Sequence, residues 1–305
     1  MLVVAVGVAF AALFILPLLG LPPYLITVLT EVFIYAVFAM SLDLLLGYTG
    51  LPSLGHAAFW GLGAYGAAIA AGRVVPSFVL ALSVGLVAAG LGALLIGAVS
   101  IRTSGVYFLM LTLALSQIVY AAAFKWTFLT GGSNGLPAPH LGVPGADLLG
   151  RGAPLYYTTL VVFGGSLLVL RRLVGSPLGR TLVGIRENEA RMRALGYATV
   201  RYKLAAFVVA GLFAGLAGVL YVAYSGYVSP SDVYWTSSGL VLIMVIVGGA
   251  GTLLGPAVGA ALVLLLQNLV SSLPTVGERW QLMMGLVFVA FVLVGRGGIA
   301  GLVRR

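Results

Sequence analysis

The residues of this chain whose types could do chemistry in non-polar surroundings are two acids, Glu31 and Asp43, a histidine at 56, and the row Thr112, Ser116, Gln117 and Tyr120. An ionisable group inside an apolar segment is tolerated only with a partner or a function, and of the seven acids only Glu31 falls clearly inside such a segment. Glu31 with Asp43 would serve a proton-coupled carrier of a small polar solute. A membrane-embedded enzyme would need a histidine with two acids at one depth, and His56 with Asp43 lacks the third member. No metal site is predicted, because the only other histidine, His140, falls on the opposite side of the predicted topology and there is no cysteine. His56 instead reads as a boundary histidine holding a glycine-rich loop. A phosphate-cradling loop needs Gly-x-x-x-x-Gly-Lys followed by Ser or Thr, whereas the only lysines, Lys125 and Lys203, follow Phe and Tyr. Neither a cofactor nor a catalytic residue is therefore expected. Thr112, Ser116 and Tyr120 are spaced i, i+4, i+8, with Gln117 beside them, so a helix would carry them as one polar stripe. Such a stripe lines a solute path, or its hydroxyls bond their own backbone or a neighbouring helix. Both readings stay open.

The elements that must position these groups are set by composition. With 61% apolar and 8% charged residues the chain lies far from the globular mix and reads as membrane-resident. The net charge of +9 does not imply nucleic acid, because the cations gather at segment ends and in one loop rather than in a binding stripe. The first twenty residues have no cation ahead of their apolar core and read as a retained helix, not a signal peptide. Cut on the length a helix needs to cross the hydrocarbon, with Gly, Pro and charges as boundaries, residues 1–305 give a single all-α transmembrane bundle of 8–10 spans. The segments run 2–20, 24–46, 56–72, 76–100, 104–124, 154–170, 204–224, 237–249, 254–272 and 280–295, the eighth being short for a span.

Residues 171–203 hold eight of the sixteen cations, which predicts a cytoplasmic segment and, by parity, cytoplasmic termini. Arg102 and the terminal Arg296, Arg304 and Arg305 agree, while Arg73, Lys125 and Arg151 fall outside. Within this segment Leu182, Ile185, Met192 and Leu195 fall near one face of a short amphipathic helix, with Arg186, Arg191 and Arg193 elsewhere and Gly196 as terminator. On the other side, the Gly- and Pro-rich connection 125–153 is expected to be ordered by turns or by a partner.

Two segments look alike, GYTGLPSLGHAAFWG at 47–61 and GGAGTLLGPAVGA at 248–260. Paired glycine-interrupted apolar segments point to internally repeated transporters whose broken helices line the path. Small residues that let helices approach closely are the other reading. Gly47, Gly50, Pro52 and Gly55 interrupt a run that would otherwise stay helical, predicting a non-helical break over 47–55 that faces the route.

The strings SLDLLLGYTGLPSLGHAAFWGLGAY, TSGVYFLMLTLALSQIV, LTGGSNGL, GRTLVGIRENEARMRALGYATVRYKLAAFVVAGLFAGLAGVLY and VGGAGTLLGPAVGAAL follow one another along about half of the chain. Together they resemble the branched-chain amino-acid ABC permeases of the LivM type. The resemblance implies one permease subunit of an importer in a bacterial or archaeal cytoplasmic membrane. Its partners would be a second related permease, two ATPases and an external binding protein, and its cargo Leu, Ile and Val, other amino acids, or urea and amides. The chain departs from the family at Asp43, where Asn is usual, and at Pro52. The acid either alters substrate choice or caps a helix end near the boundary, where water reaches it. Glu189-Ala190 followed by Gly196 resembles the loop through which ABC permeases dock on their ATPases. Docking would seat Leu182, Ile185, Met192 and Leu195 in the partner and leave Glu187 and Glu189 to set register. The competing reading is an interfacial helix on anionic lipid.

Overall fold

A computed structural model of the protein describes residues 22–139 and 152–271 continuously, with isolated positions within 13–20 and 282–289. The segments expected at 2–20 and 280–295, with both termini and His140, lie outside the described residues or nearly so. The eight other expected segments coincide with helices. These are α1 (Pro23–Asp43), α2 (His56–Arg73), α3 (Phe78–Ser100) and α4 (Gly105–Lys125), then, after the one-turn α5 (Thr127–Thr130), α6 (Ala153–Gly175). The polar α7 (Pro177–Ala194) leads into α8 (Thr199–Ser225), the one-turn α9 (Pro230–Val233), α10 (Trp235–Gly248) and α11 (Leu254–Ser271). Six are long and apolar enough to cross a bilayer, and α10, at 14 residues, is shorter. The protein is a multi-pass membrane helical bundle.

Local chemistry sets the ends. Pro23 and Pro177 occupy first-turn positions where a missing N–H costs nothing, Ser176 caps α7, and Ser229 with Asp232 forms a capping box on α9. Gly226, at φ 69°, stops α8. Without a hydrophobic driving force between helices in lipid, close backbone approach holds the bundle. α2, α3 and α8 form one group in which a methyl on Gly63 would overlap the Gly215 carbonyl. α1 is the enclosed centre of the other group, packed by α6, α8, α10 and α11, with Ile34, Val37, Met40 and Leu42 fully buried. By contrast α3 and α4 turn Val87, Leu91, Leu95, Met110 and Ile118 outward, an apolar face suited to hydrocarbon.

The helix directions put α7 at one end of the bundle. At the opposite end, residues 126–139 are ordered by turns and by pairing of β1 (Leu136–Pro137) with β2 (Tyr227–Val228), antiparallel, Leu136 facing Val228. Arg73 closes this region by donating to the Phe128 carbonyl, its guanidinium 5.0 Å from the Phe128 ring centre.

Candidate functional site

The last turns of α1 are buried on every side, and the helix widens into a π-turn, Leu44–Thr49, which Gly50 ends in the left-handed region at φ 73°. Residues 50–55 are non-helical before His56 opens α2. The expected break over 47–55 is therefore shorter than predicted: Gly47 stays inside the π-turn. The reason is packing, since the widened turn brings the Gly47 backbone against the loop that joins α10 to α11.

That loop, 249–253, is the second glycine-rich segment, and the two meet. Asp43 accepts from the Gly251 N–H at 2.6 Å and the Leu253 N–H at 3.1 Å. A methyl on Gly47 would overlap both the Asp43 carboxylate and the Gly251 backbone. Gly249 and Gly251 have φ of 106° and 81°, and Leu253 is held at φ 57°, which a residue with a side chain rarely adopts. Thr252 closes the turn by donating to the Gly249 carbonyl at 2.8 Å. Asp43 is fully buried, so the expectation that water reaches it is corrected. Its position is the C-terminal end of α1, enclosed by α10, α11 and the π-turn, and backbone N–H groups replace the water.

The amphipathic helix predicted over 182–195 is also corrected. α7 breaks at Asn188, whose φ of −159° and ψ of 94° are extended, and whose Oδ1 accepts from Arg191 N–H at 2.9 Å. Asn188 thus caps a second, short helix. Leu182 and Ile185 on the first half are buried within the chain's own core and cannot enter a partner. Beyond the break the chain folds back, so that Met192 sits over Gly184, where a methyl would meet its sulfur at 3.0 Å. Ala190 and Glu187 are exposed, and Leu195 is 66% exposed. Gly196, at φ 88°, ends the turn, with its N–H on the Arg193 carbonyl and the Tyr197 N–H on the Met192 carbonyl, a Schellman closure.

Glu189 does not present its charge to a partner either. It pairs with Arg193 at 2.6 Å and with Lys203 at 2.9 Å, and Thr199 donates to it at 3.1 Å. Burial raises the Glu189 carboxyl, but the donors from Lys203, Arg193 and Thr199 outweigh this and hold it below the usual carboxylate range. The second half of α7 is thereby tied to the first turn of α8. Arg186, on the first half, donates to the Gly47 carbonyl, and its stem covers Gly50, where a methyl would meet Arg186 Cγ at 2.7 Å. It also acts electrostatically on Asp43.

The other predicted residues lie deeper. His56 is fully buried, with Nε2 2.8 Å from Ser41 Oγ and its ring stacked on Phe38, centroids 5.6 Å apart. Its neighbour Ala57 donates to Ser238 on α10 at 2.8 Å. Thr112 and Ser116 are fully buried and donate to their own helix, to the carbonyls of Leu109 at 3.0 Å and Leu113 at 2.8 Å. Gly55 touches this stripe, since a methyl there would overlap the Thr112 carbonyl. Tyr120 is half-buried against Tyr234, centroids 4.9 Å apart, and the Gln117 side-chain nitrogen is buried without a hydrogen-bond partner. Glu31 lies about 18 Å along α1 from Asp43, by helix rise, and among the described residues its hydrogen-bond partner is the Tyr224 hydroxyl at 3.5 Å. The two acids share no relay. Sequence reading missed Arg186, Lys203 and Ser238. Lys203, which with Arg201 opens an apolar helix and stands fourteen residues after Glu189, was the one visible hint.

Residues 24–292 match the family model described as the permease component of branched-chain amino acid transport systems. The chain is 31% identical over 304 residues to the high-affinity branched-chain amino acid transport system permease protein LivM of Salmonella typhimurium, covering 92% of this chain and 70% of the relative. It is 31% identical over 303 residues to LivM of Escherichia coli, with the same coverage of 92% and 70%. The probable LivM of Methanocaldococcus jannaschii is 25% identical over 266 residues, 74% of this chain and 75% of the relative. No solved structure matches significantly.

Proposed function

Since the chain belongs to the family of permease components of branched-chain amino acid transport systems, an ABC importer family, we propose that it passes Leu, Ile and Val inward, driven by separate ATPase chains. The substrate is the one for which the LivM relatives are named. In this reading residues 1–305 act as one permease domain beside a second related permease. Two ATPases meet the α7 end, an external binding protein meets the β1–β2 end, and the protein itself catalyses no bond chemistry. The Arg-rich α7 end faces the cytoplasm, as do both termini.

The observation that carries the docking surface is the folded-back turn 188–196, held by Asn188, Glu189 and Gly196 and offering Glu187, Ala190 and Leu195 outward. A rigid knob of this kind suits a groove on a partner better than a bilayer surface, because its apolar side is divided between the chain's own core and Leu195. The route inward runs beside the Gly47, Gly50 and Gly55 segment and the buried stripe of α4, with the junction under Asp43 as the inner gate. The decisive experiment reconstitutes the chain with its partners in liposomes. Glu187→Arg with Leu195→Asp should leave the protein inserted and folded yet separate ATP hydrolysis from uptake. Normal uptake by that double variant would remove the docking surface.

A further inference from the structure

We propose that Arg186 is the positioning residue that carries motion of the docked α7 segment into the membrane-embedded gate, acting as a pin across the two glycine-rich breaks. The proposal rests on the reading of the chain as an importer subunit and goes beyond it by naming the route of transmission.

The two halves of α7 are held differently. Its second half is exposed and tied to α8 through Glu189 and Lys203; its first half is buried at Leu182 and Ile185. A push on the knob reaches α8 through that tie and the gate through the first half, where Arg186 is the side chain that crosses to the π-turn. Its target is a backbone carbonyl, that of Gly47, where the π-turn packs against the loop 249–253. Asp43 clamps that loop to α1 by two N–H bonds, so displacement of Gly47 displaces both breaks together. Gly50 has no side chain, which leaves the Arg186 stem its seat. The guanidinium donates to the carbonyl while its charge acts on the Asp43 carboxylate, a two-sided role that a lysine ammonium fills poorly. Transmission is read as coupling between nucleotide state and the gate.

The full complex with its ATPases, second permease and binding protein is reconstituted, with Leu54→Cys as a reporter in a chain that has no cysteine of its own. With Arg186 present, thiol labelling at 54 should differ between nucleotide-free and ATP-vanadate-trapped complexes. With Arg186→Gln the difference should vanish and uptake per ATP hydrolysed should fall about tenfold, the scale of an ordinary coupling free energy. Arg186→Lys should recover part of both. Labelling that responds to nucleotide equally in both forms overturns the pin, as does labelling that never responds, or a parallel loss of ATPase and uptake. If Arg186→Gln does not assemble, the Lys variant decides alone: full wild-type coupling would overturn the proposal. Uptake by the unaltered complex that ignores ATP would instead overturn the importer reading, so the two failures stay distinct.

Discussion

At the α7 end, Glu189 is held by Lys203 and Arg193, and Asp43 by two backbone N–H groups with Arg186 nearby; at the opposite end Glu31 has the Tyr224 hydroxyl and Asp232 has Ser229. Burial acts on both ends, and the partners decide the outcome. Glu189 is held below its ordinary range by cations, whereas burial lifts the Asp232 carboxyl above its ordinary value against the bonds from Ser229. The difference shows where the molecule uses charge to fix geometry between elements. At the α7 end Asp43 bridges α1 to the α10–α11 loop and Glu189 bridges α7 to α8. Asp232 only caps its own short helix, and Glu31 has no ion-pair partner among the described residues.

The sharpest way to break the α7 end is at its tightest point. Gly47→Val would drive a branched side chain into the Asp43 carboxylate and the Gly251 backbone. Backbone cannot yield as a flexible side chain can, so the cost should exceed the usual overpacking range of about 1–3 kcal/mol. Loss of folded protein in detergent, read by thermal unfolding, is the expected result. Gly165→Ala and Gly239→Ala are the matched controls, because among the described residues nothing lies within 4 Å of a methyl at either helical position. They should be neutral or gain up to about 1 kcal/mol from helix propensity.

Next in size is Asp43. Asp43→Ala leaves the Gly251 and Leu253 N–H groups buried without acceptors, and each orphaned group costs about 1–3 kcal/mol. Leu253 should then relax from its left-handed conformation, so faster hydrogen exchange confined to 249–255 would locate the loss. Unchanged exchange there would mean that the loop holds its shape without the carboxylate.

The order and approximate extent of the eight described segments were readable because a span is a long apolar run closed by Pro, Ser or Gly, and such runs leave no competing period. The two glycine-rich segments were also visible as a pair, but their meeting was not. Contact between residues 47 and 251 depends on how α1, α10 and α11 pack, and no local pattern encodes it. The same limit explains α7. Hydrophobic spacing over 182–195 is helical, yet Asn188 satisfies a helix start from within, and only tertiary burial of Leu182 and Ile185 shows that the face divides there. Asp43 was readable as a helix-end acid, and its unseen feature was which N–H groups it would meet.

A smaller effect separates the ends by pH. Glu189 has a folded value below its ordinary 4.5, so its stabilisation of the 188–196 turn is complete above pH 4.5 and is lost as pH falls through the lower folded value. Asp232 has a raised folded value, so the fold favours its protonated form and local stability rises as pH falls through that raised value. Hydrogen exchange from pH 7 downward should therefore keep 188–196 protected until below pH 4.5, while 229–234 gains stability earlier in the descent. Glu189→Gln should abolish the acid-induced opening of the turn and leave the Asp232 region unaltered.

The smallest expected effect is at Glu31, and it is the one that most sharpens the contrast with Asp43. The Tyr224 hydroxyl stands 3.5 Å from Glu31 Oε2, at the limit of a hydrogen bond, and a glutamine carbonyl can accept it as well. Glu31 is half-buried, and it joins no second element by backbone bonds. Glu31→Gln should therefore change stability by no more than about 0.5 kcal/mol, and ATP-driven uptake by no more than about twofold. Asp43→Asn is a change of the same atoms with a different consequence, because both carboxylate oxygens accept there and an amide NH2 would face the Leu253 N–H. Measured side by side, the two amide variants separate an acid that holds two elements together from one that sits beside a tyrosine. A large loss of uptake at Glu31→Gln that follows the proton gradient would reverse the assignment and bring proton movement back into the account of this permease.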